Sequence, residues 1–179
     1  YMNFKKVFEI LISEFQKNKI DFALIGGHAL RFAGVERTTV DIDFAVLLEK
    51  SDIVDGIMKK YGYKALHKTQ DVANYSSQFT ELGQVDFLFA HRKYALQMLK
   101  RAELKEIFGL KIKIVKSEDL IGLKIQSSSN DPERYHKDMA DIEEIIKTNL
   151  KNLDLELIKE YFRLFGREKE LNEIMEKIK

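Results

Sequence analysis

A chain of 179 residues, 45% of them hydrophobic, holds enough apolar material for one domain with a core of its own and argues against a disordered chain. Its formal net charge of +1 gives no global case for binding nucleic acid or a membrane surface, and zero cysteines excludes a disulfide framework, a thiolate metal site and cysteine redox chemistry. No run approaches the ~18 apolar residues of a membrane span, so no membrane is expected, and the absence of cysteine fits a cytoplasmic setting.

Taken in chain order, Tyr1 ahead of Met2 is expected to be a remnant of expression and is set aside. Phe4, Val7, Phe8, Leu11, Ile12 and Phe15 recur at helical spacing and predict an amphipathic helix of about four turns. Phe22 to Ile25 reads as a short buried strand that ends at Gly26 and Gly27, and His28 to Phe32 holds helix formers closed by Gly34. A second strand is predicted over Asp41 to Leu47. Ser51 is expected to cap a helix through Tyr61, with Asp52 and Asp55 in its first turn and Gly62 at its end.

Tyr63 to Leu66, Val72 to Phe79 and Gln84 to Phe89 are strand candidates, and a helix runs from Lys93 to about Arg101. Glu103 to Ile107 and Lys111 to Val115, on either side of Phe108-Gly109-Leu110, predict a β-hairpin. From Ser117 the pattern turns helical. A helix is predicted to about Ser127, then a break over the serine run to Pro132, then helices near Arg134 to Thr148, Leu153 to Phe165 and Arg167 to Ile178. The fold class is α+β, a mixed sheet flanked by helices over residues 2–116 followed by a C-terminal helical section over 117–179 packed on it.

Three acids carry the chemistry. Strand side chains alternate faces, so Asp41 and Asp43 point the same way while Ile42 and Phe44 point to the core. Carboxylates placed this close repel unless a cation neutralises them, and an oxygen-only set suits Mg²⁺. Asp86 interrupts the apolar strand Gln84 to Phe89 on the face opposite Val85, Phe87 and Phe89; it needs a partner, either the same cation or a lysine. Gly26 and Gly27 let the backbone turn tightly, either as simple geometry between strand and helix or as a place where backbone amides meet phosphate.

Other residues admit two readings each. His28 follows the glycine pair and either faces a nucleotide or has a local capping or packing role; His67, His91 and His136 read as surface residues. Lys124 sits at helical spacing among apolar residues and either reaches phosphate or snorkels. Between Arg92 and Lys124 nine basic residues stand against four acidic ones, a local surplus that could face an anion.

Taken together, Leu24-Ile25-Gly26-Gly27, thirteen intervening residues, Asp41-Ile42-Asp43-Phe44 and the later strand acid Asp86 resemble the nucleotidyltransferase fold of the polymerase β superfamily. Leu120-Ile121-Gly122-Leu123-Lys124 and Lys137-Asp138-Met139-Ala140-Asp141 look like the lysine and Lys-Asp-xx-Asp motifs of the AbiEii-type toxin nucleotidyltransferases. The resemblance covers about residues 20 to 147. It implies Mg²⁺ (or Mn²⁺) held by Asp41, Asp43 and Asp86, which are also the catalytic acids, and transfer of a nucleoside monophosphate from an NTP to a hydroxyl of RNA or protein in a toxin–antitoxin or phage-defence system. In that reading Gly26, Gly27, Arg37, Thr38, Thr39 and Lys124 bind the nucleotide, Asp138 and Asp141 orient Lys124 or Arg134, and a cognate toxin or antitoxin is a partner. The other class of function is a non-catalytic module of the same fold that binds a nucleotide or a partner.

Overall fold

Residues 1–178 are described by a computed structural model. The chain divides into two units, one made of Tyr1–Ala29 with Thr38–Val115, the other of Leu30–Arg37 with the chain from Lys116 on.

In the first unit, Phe4–Lys17 forms α1, whose start is capped by the Asn3 side chain accepting from the Lys6 amide at 3.1 Å. The chain continues through β1 (Phe22–Ile25) and α2 (Gly26–Phe32), which crosses into the second unit, then returns as β2 (Asp41–Leu47) and α3 (Ser51–Lys60). Next come β3 (Tyr63–Lys68), β4 (Val72–Ser77), β5 (Gln84–Ala90), α4 (Lys93–Arg101) and the hairpin of β6 (Glu103–Ile107) with β7 (Leu110–Ile114). The strands form one sheet in the order β3-β4-β5-β2-β1-β7-β6. It is mixed: β2 runs parallel to β5 and β1 parallel to β7, while the other neighbours are antiparallel.

Period-two alternation decides which side of this sheet is dry. On β2, Ile42, Phe44 and Val46 are buried, and on β5, Val85, Phe87 and Phe89. The α1 rings close over them: Phe15 lies 5.3 Å from Phe44 and 6.1 Å from Phe87, and Phe8 lies 6.1 Å from Phe44, all edge-on. The acids Asp41, Asp43 and Asp86 take the alternate positions and face the other way.

Several boundaries differ from expectation for identifiable reasons. Ser51 does not cap α3. A 3-10 turn over Leu48–Lys50 runs straight into the helix, with Lys50 already in a helical conformation, so Ser51 lies inside it. Instead of running to Phe79, β4 stops at Ser77, where the Ser77 hydroxyl accepts from the Phe79 amide at 3.1 Å and turns the chain. β3 reaches Lys68 by means of a bulge between Ala65 and His67. In the hairpin Phe108 and Gly109 both take positive φ, 52° and 79°, a two-residue turn of the primed kind, so β7 begins at Leu110 rather than Lys111.

The second unit holds α5 (Ser117–Asn130), α6 (Tyr135–Asn149), α7 (Leu155–Leu164) and α8 (Glu168–Ile178). The serine run does not break α5. Ser128 and Ser129 donate to the Ile125 carbonyl at 3.1 and 2.7 Å, satisfying themselves inside the helix. The break falls at Asp131, which accepts from the Glu133 amide at 3.0 Å as Pro132 opens a short 3-10 turn. Arg167 stitches the helices together, donating to the Ile125 carbonyl at 3.1 Å, Ser128 Oγ at 2.7 Å and Glu170 at 2.7 Å while lying 5.2 Å from the Tyr135 ring centre. Among the described residues no helix is long and apolar enough to cross a membrane.

The aromatic layer beneath the acids sets the stability of the first unit. Phe44→Ala is expected to destabilise it by about 3–5 kcal/mol, because four neighbouring rings lose their partner in a site with little room to collapse. Urea unfolding followed by circular dichroism measures the change.

Candidate active site

Strand register brings the three acids together. In the parallel pair of β2 and β5, Asp43 is the partner of Asp86 and Asp41 the partner of Gln84. One carboxylate oxygen from each of Asp41, Asp43 and Asp86 lies within 4.8 Å of the other two, and all three residues are half-buried. Burial pushes the Asp86 carboxyl above the usual carboxylate range and the Asp41 charge adds to that rise, while hydrogen bonds from the Asn74 and Gln84 side chains oppose it. A cluster of three hard oxygen donors with this mutual repulsion fits a divalent cation of the Mg²⁺ or Mn²⁺ type, so the three acids form a site that could hold a metal.

The surroundings explain the local sequence. Thr39 Oγ1 donates to Asp41 Oδ1 at 2.9 Å, fixing that carboxylate from two residues away. Gly26 has φ +66°, and a Cβ there would overlap the Asp43 carboxylate; a Cβ on Gly27 would come within 2.7 Å of Thr39. Both glycines are therefore demanded by close approach to the acid-bearing strand and to Thr39. Thr38, the residue before Thr39, is exposed. His28 is buried, its ring centre 4.6 Å from that of Phe4 and 5.5 Å from that of Phe8, so of its two readings packing is the one realised. His91 stays at the surface, where its Nε2 lies 2.5 Å from the exposed Asp71 Oδ1.

The remaining predicted residues gather in the second unit. Arg37 donates from Nε to Asp141 Oδ1 at 2.6 Å and its Nη2 lies 2.5 Å from the same oxygen. Lys124 Nζ lies 2.9 Å from Asp138 Oδ1 and 2.8 Å from Asp141 Oδ2, and Arg134 Nε lies 3.3 Å from Asp138 Oδ2. Both acids are fully buried and the Lys124 side chain is only 13% exposed, so Lys124 does not snorkel to solvent. Burial alone would raise the Asp138 carboxyl, yet hydrogen bonds from Lys124, Ser127 and Arg134 outweigh it and leave it below the ordinary value. Part of the basic surplus between Arg92 and Lys124 is likewise neutralised from outside that stretch, Lys113 by Asp21 at 2.5 Å. Sequence reasoning missed Asn74 and Gln84; the signal for Gln84 was its position two residues before Asp86 on the same strand face.

The chain belongs to the family described as "Nucleotidyl transferase of unknown function (DUF2204)", which matches residues 3–179. No curated protein matches it. In fold it is similar to the antibiotic-resistance factor ANT(2'')-Ia, seen in solution, with 13% identity over 97% of this chain and 96% of that one and a TM-score of 0.65. It is also similar to an antigenic nucleotidyltransferase-like protein from Paracoccidioides brasiliensis, 18% identical over 97% and 92% of the two chains at a TM-score of 0.59. A third likeness is to the lincosamide antibiotic adenylyltransferase LnuA with lincomycin bound, 16% identical over 78% and 94% at 0.56. At such identities the likeness is one of fold, and it agrees with the α+β architecture of a mixed sheet flanked by helices.

The buried ion cluster predicts an acid-side stability profile. Since the Asp138 carboxyl is lowered in the folded chain, its stabilisation is fully present above the ordinary carboxylate pKa of about 3.9 and is lost as pH falls through the lowered folded value. Stability measured between pH 2 and 5 is expected to fall less steeply in Asp138→Asn than in the wild type. Lys124→Met, which removes the cation shared by two buried carboxylates and leaves each with its arginine, is expected to cost about 1.5–3 kcal/mol at neutral pH.

Proposed function

We propose that this member of the nucleotidyl transferase family moves a nucleoside monophosphate from an NTP to a hydroxyl of a macromolecular acceptor, RNA or protein, with the toxin–antitoxin setting implied by its resemblance to the AbiEii-type proteins. The observation that carries the reading is the meeting of Asp41, Asp43 and Asp86 on one sheet face within 4.8 Å. Asp41, Asp43 and Asp86 are the residues that would hold Mg²⁺. Bound there, the ion would neutralise triphosphate charge and the charge that develops on the departing pyrophosphate.

The chain's own groups do the rest. Thr39 orients the Asp41 carboxylate, and the Gly26 and Gly27 amides with Thr38 are the proposed phosphate contacts within the same unit. The attacking hydroxyl oxygen bonds to the α-phosphorus as the bond to the bridging oxygen of pyrophosphate breaks, and the hydroxyl proton passes to the Asp86 carboxylate. Arg37 and Lys124, expected at the nucleotide, have a proposed role as counter-charges of Asp141 and Asp138 instead. The non-catalytic alternative predicts nucleotide binding that is indifferent to both metal and acids.

Transfer from α-³²P-labelled ATP, CTP, GTP and UTP tests this, with Mg²⁺ and with total RNA, lysate protein, tobramycin or lincomycin as acceptors. Wild-type protein is expected to label RNA or protein, and Asp43→Asn to lose at least 10³-fold of that rate, on the order of the ~4 kcal/mol that charge stabilisation at a reacting centre supplies. Label found only on an antibiotic overturns the macromolecular acceptor. Equal labelling by wild type and Asp43→Asn, or none by either, overturns the transfer itself.

A further inference from the structure

Across β4, β5 and β2 the register places Asn74 beside Asp86 and Asp86 beside Asp43, so the third acid has an amide on one flank and a carboxylate on the other. Gln84, two residues earlier on β5, shares its face and is the register partner of Asp41. Gln84 Nε2 donates to Asp86 Oδ1 at 3.1 Å and lies 3.3 Å from Oδ2, and the Asn74 side chain donates to the same carboxylate.

A half-buried acid can be satisfied by a cation or by neutral donors. A lysine would neutralise it, as Lys124 does for Asp138, but a fixed cation there would repel a divalent ion. Two amides stabilise the ionised carboxylate by charge-assisted hydrogen bonds and bring no charge of their own. A carboxylate offers about four acceptor positions, so two donors still leave room for a cation on the side of β2. Asn is also depleted in strands, so its place in the middle of β4 asks for a reason beyond propensity.

We infer that Gln84 and Asn74 are positioning residues of the metal site, holding the Asp86 carboxylate turned toward Asp41 and Asp43 so that all three acids meet one divalent ion. The inference rests on the reading of the three acids as a metal site. Manganese without nucleotide is the probe, titrated into the full chain and followed by electron paramagnetic resonance. The variants are Gln84→Met, Asn74→Leu, the milder Asn74→Ser in case the leucine disturbs folding, Asp43→Asn, and Ser76→Ala as a control on the same stretch of β4. Thermal midpoints are recorded alongside.

Gln84→Met and the Asn74 variants are expected to weaken Mn²⁺ binding by about 10- to 100-fold, the usual cost of removing a group that orients a ligand. Their midpoints should stay within a few degrees of wild type, and Ser76→Ala should bind as wild type does. Wild-type or tighter affinity in Gln84→Met and Asn74→Ser, with Asp43→Asn losing the ion, overturns the positioning role and leaves the metal site standing. Failure of the wild type to bind Mn²⁺ overturns both.

Discussion

Three carboxylates from two strands lie close enough to repel one another, in a place where burial already disfavours charge. In water such a cluster would splay apart. Here the backbones that carry the acids cannot, because each acid is mounted on a central strand of a seven-stranded sheet and the parallel pairing of β2 with β5 sets Asp43 beside Asp86. The repulsion is thereby built into the folded chain and stands ready to be relieved by a cation.

The rest of the first unit serves that arrangement. The opposite side of the same strands is locked by Phe44, Phe87 and Phe89 beneath Phe8 and Phe15, so the acids sit on a rigid floor. On the acid side the chain gives up side chains where they would intrude: Gly26 leaves room for the Asp43 carboxylate and Gly27 for Thr39, which in turn holds Asp41. The second unit solves the opposite electrostatic problem. Its buried acids Asp138 and Asp141 are matched by Lys124, Arg37 and Arg134 inside the chain and so need no outside ion.

How much of this was legible in the sequence depends on the range of the interaction. Asp41 and Asp43 could be assigned to one face because strand alternation is local, and Asp86 stood out because it broke an apolar strand. Ser51 and the serine run misled for a local reason too: a hydroxyl near a helix end reads the same whether it caps, breaks or bonds back to the preceding turn. The pairing of Arg37 with Asp141 joins residues 104 apart, and no spacing rule reaches that far. Gln84 was recoverable from its i+2 relation to Asp86. Asn74 was not, since its place beside Asp86 depends on how β4 registers with β5.

Whether the acids on β2 and β5 share an ion decides what this site can do. A crystal soaked with Mn²⁺ and a non-hydrolysable nucleoside triphosphate, measured at the manganese absorption edge, tests that directly. The expected result is an anomalous peak within coordination distance of oxygens from Asp41, Asp43 and Asp86 together. A peak elsewhere in the chain, or one held by β2 alone with Asp86 turned away, would contradict it.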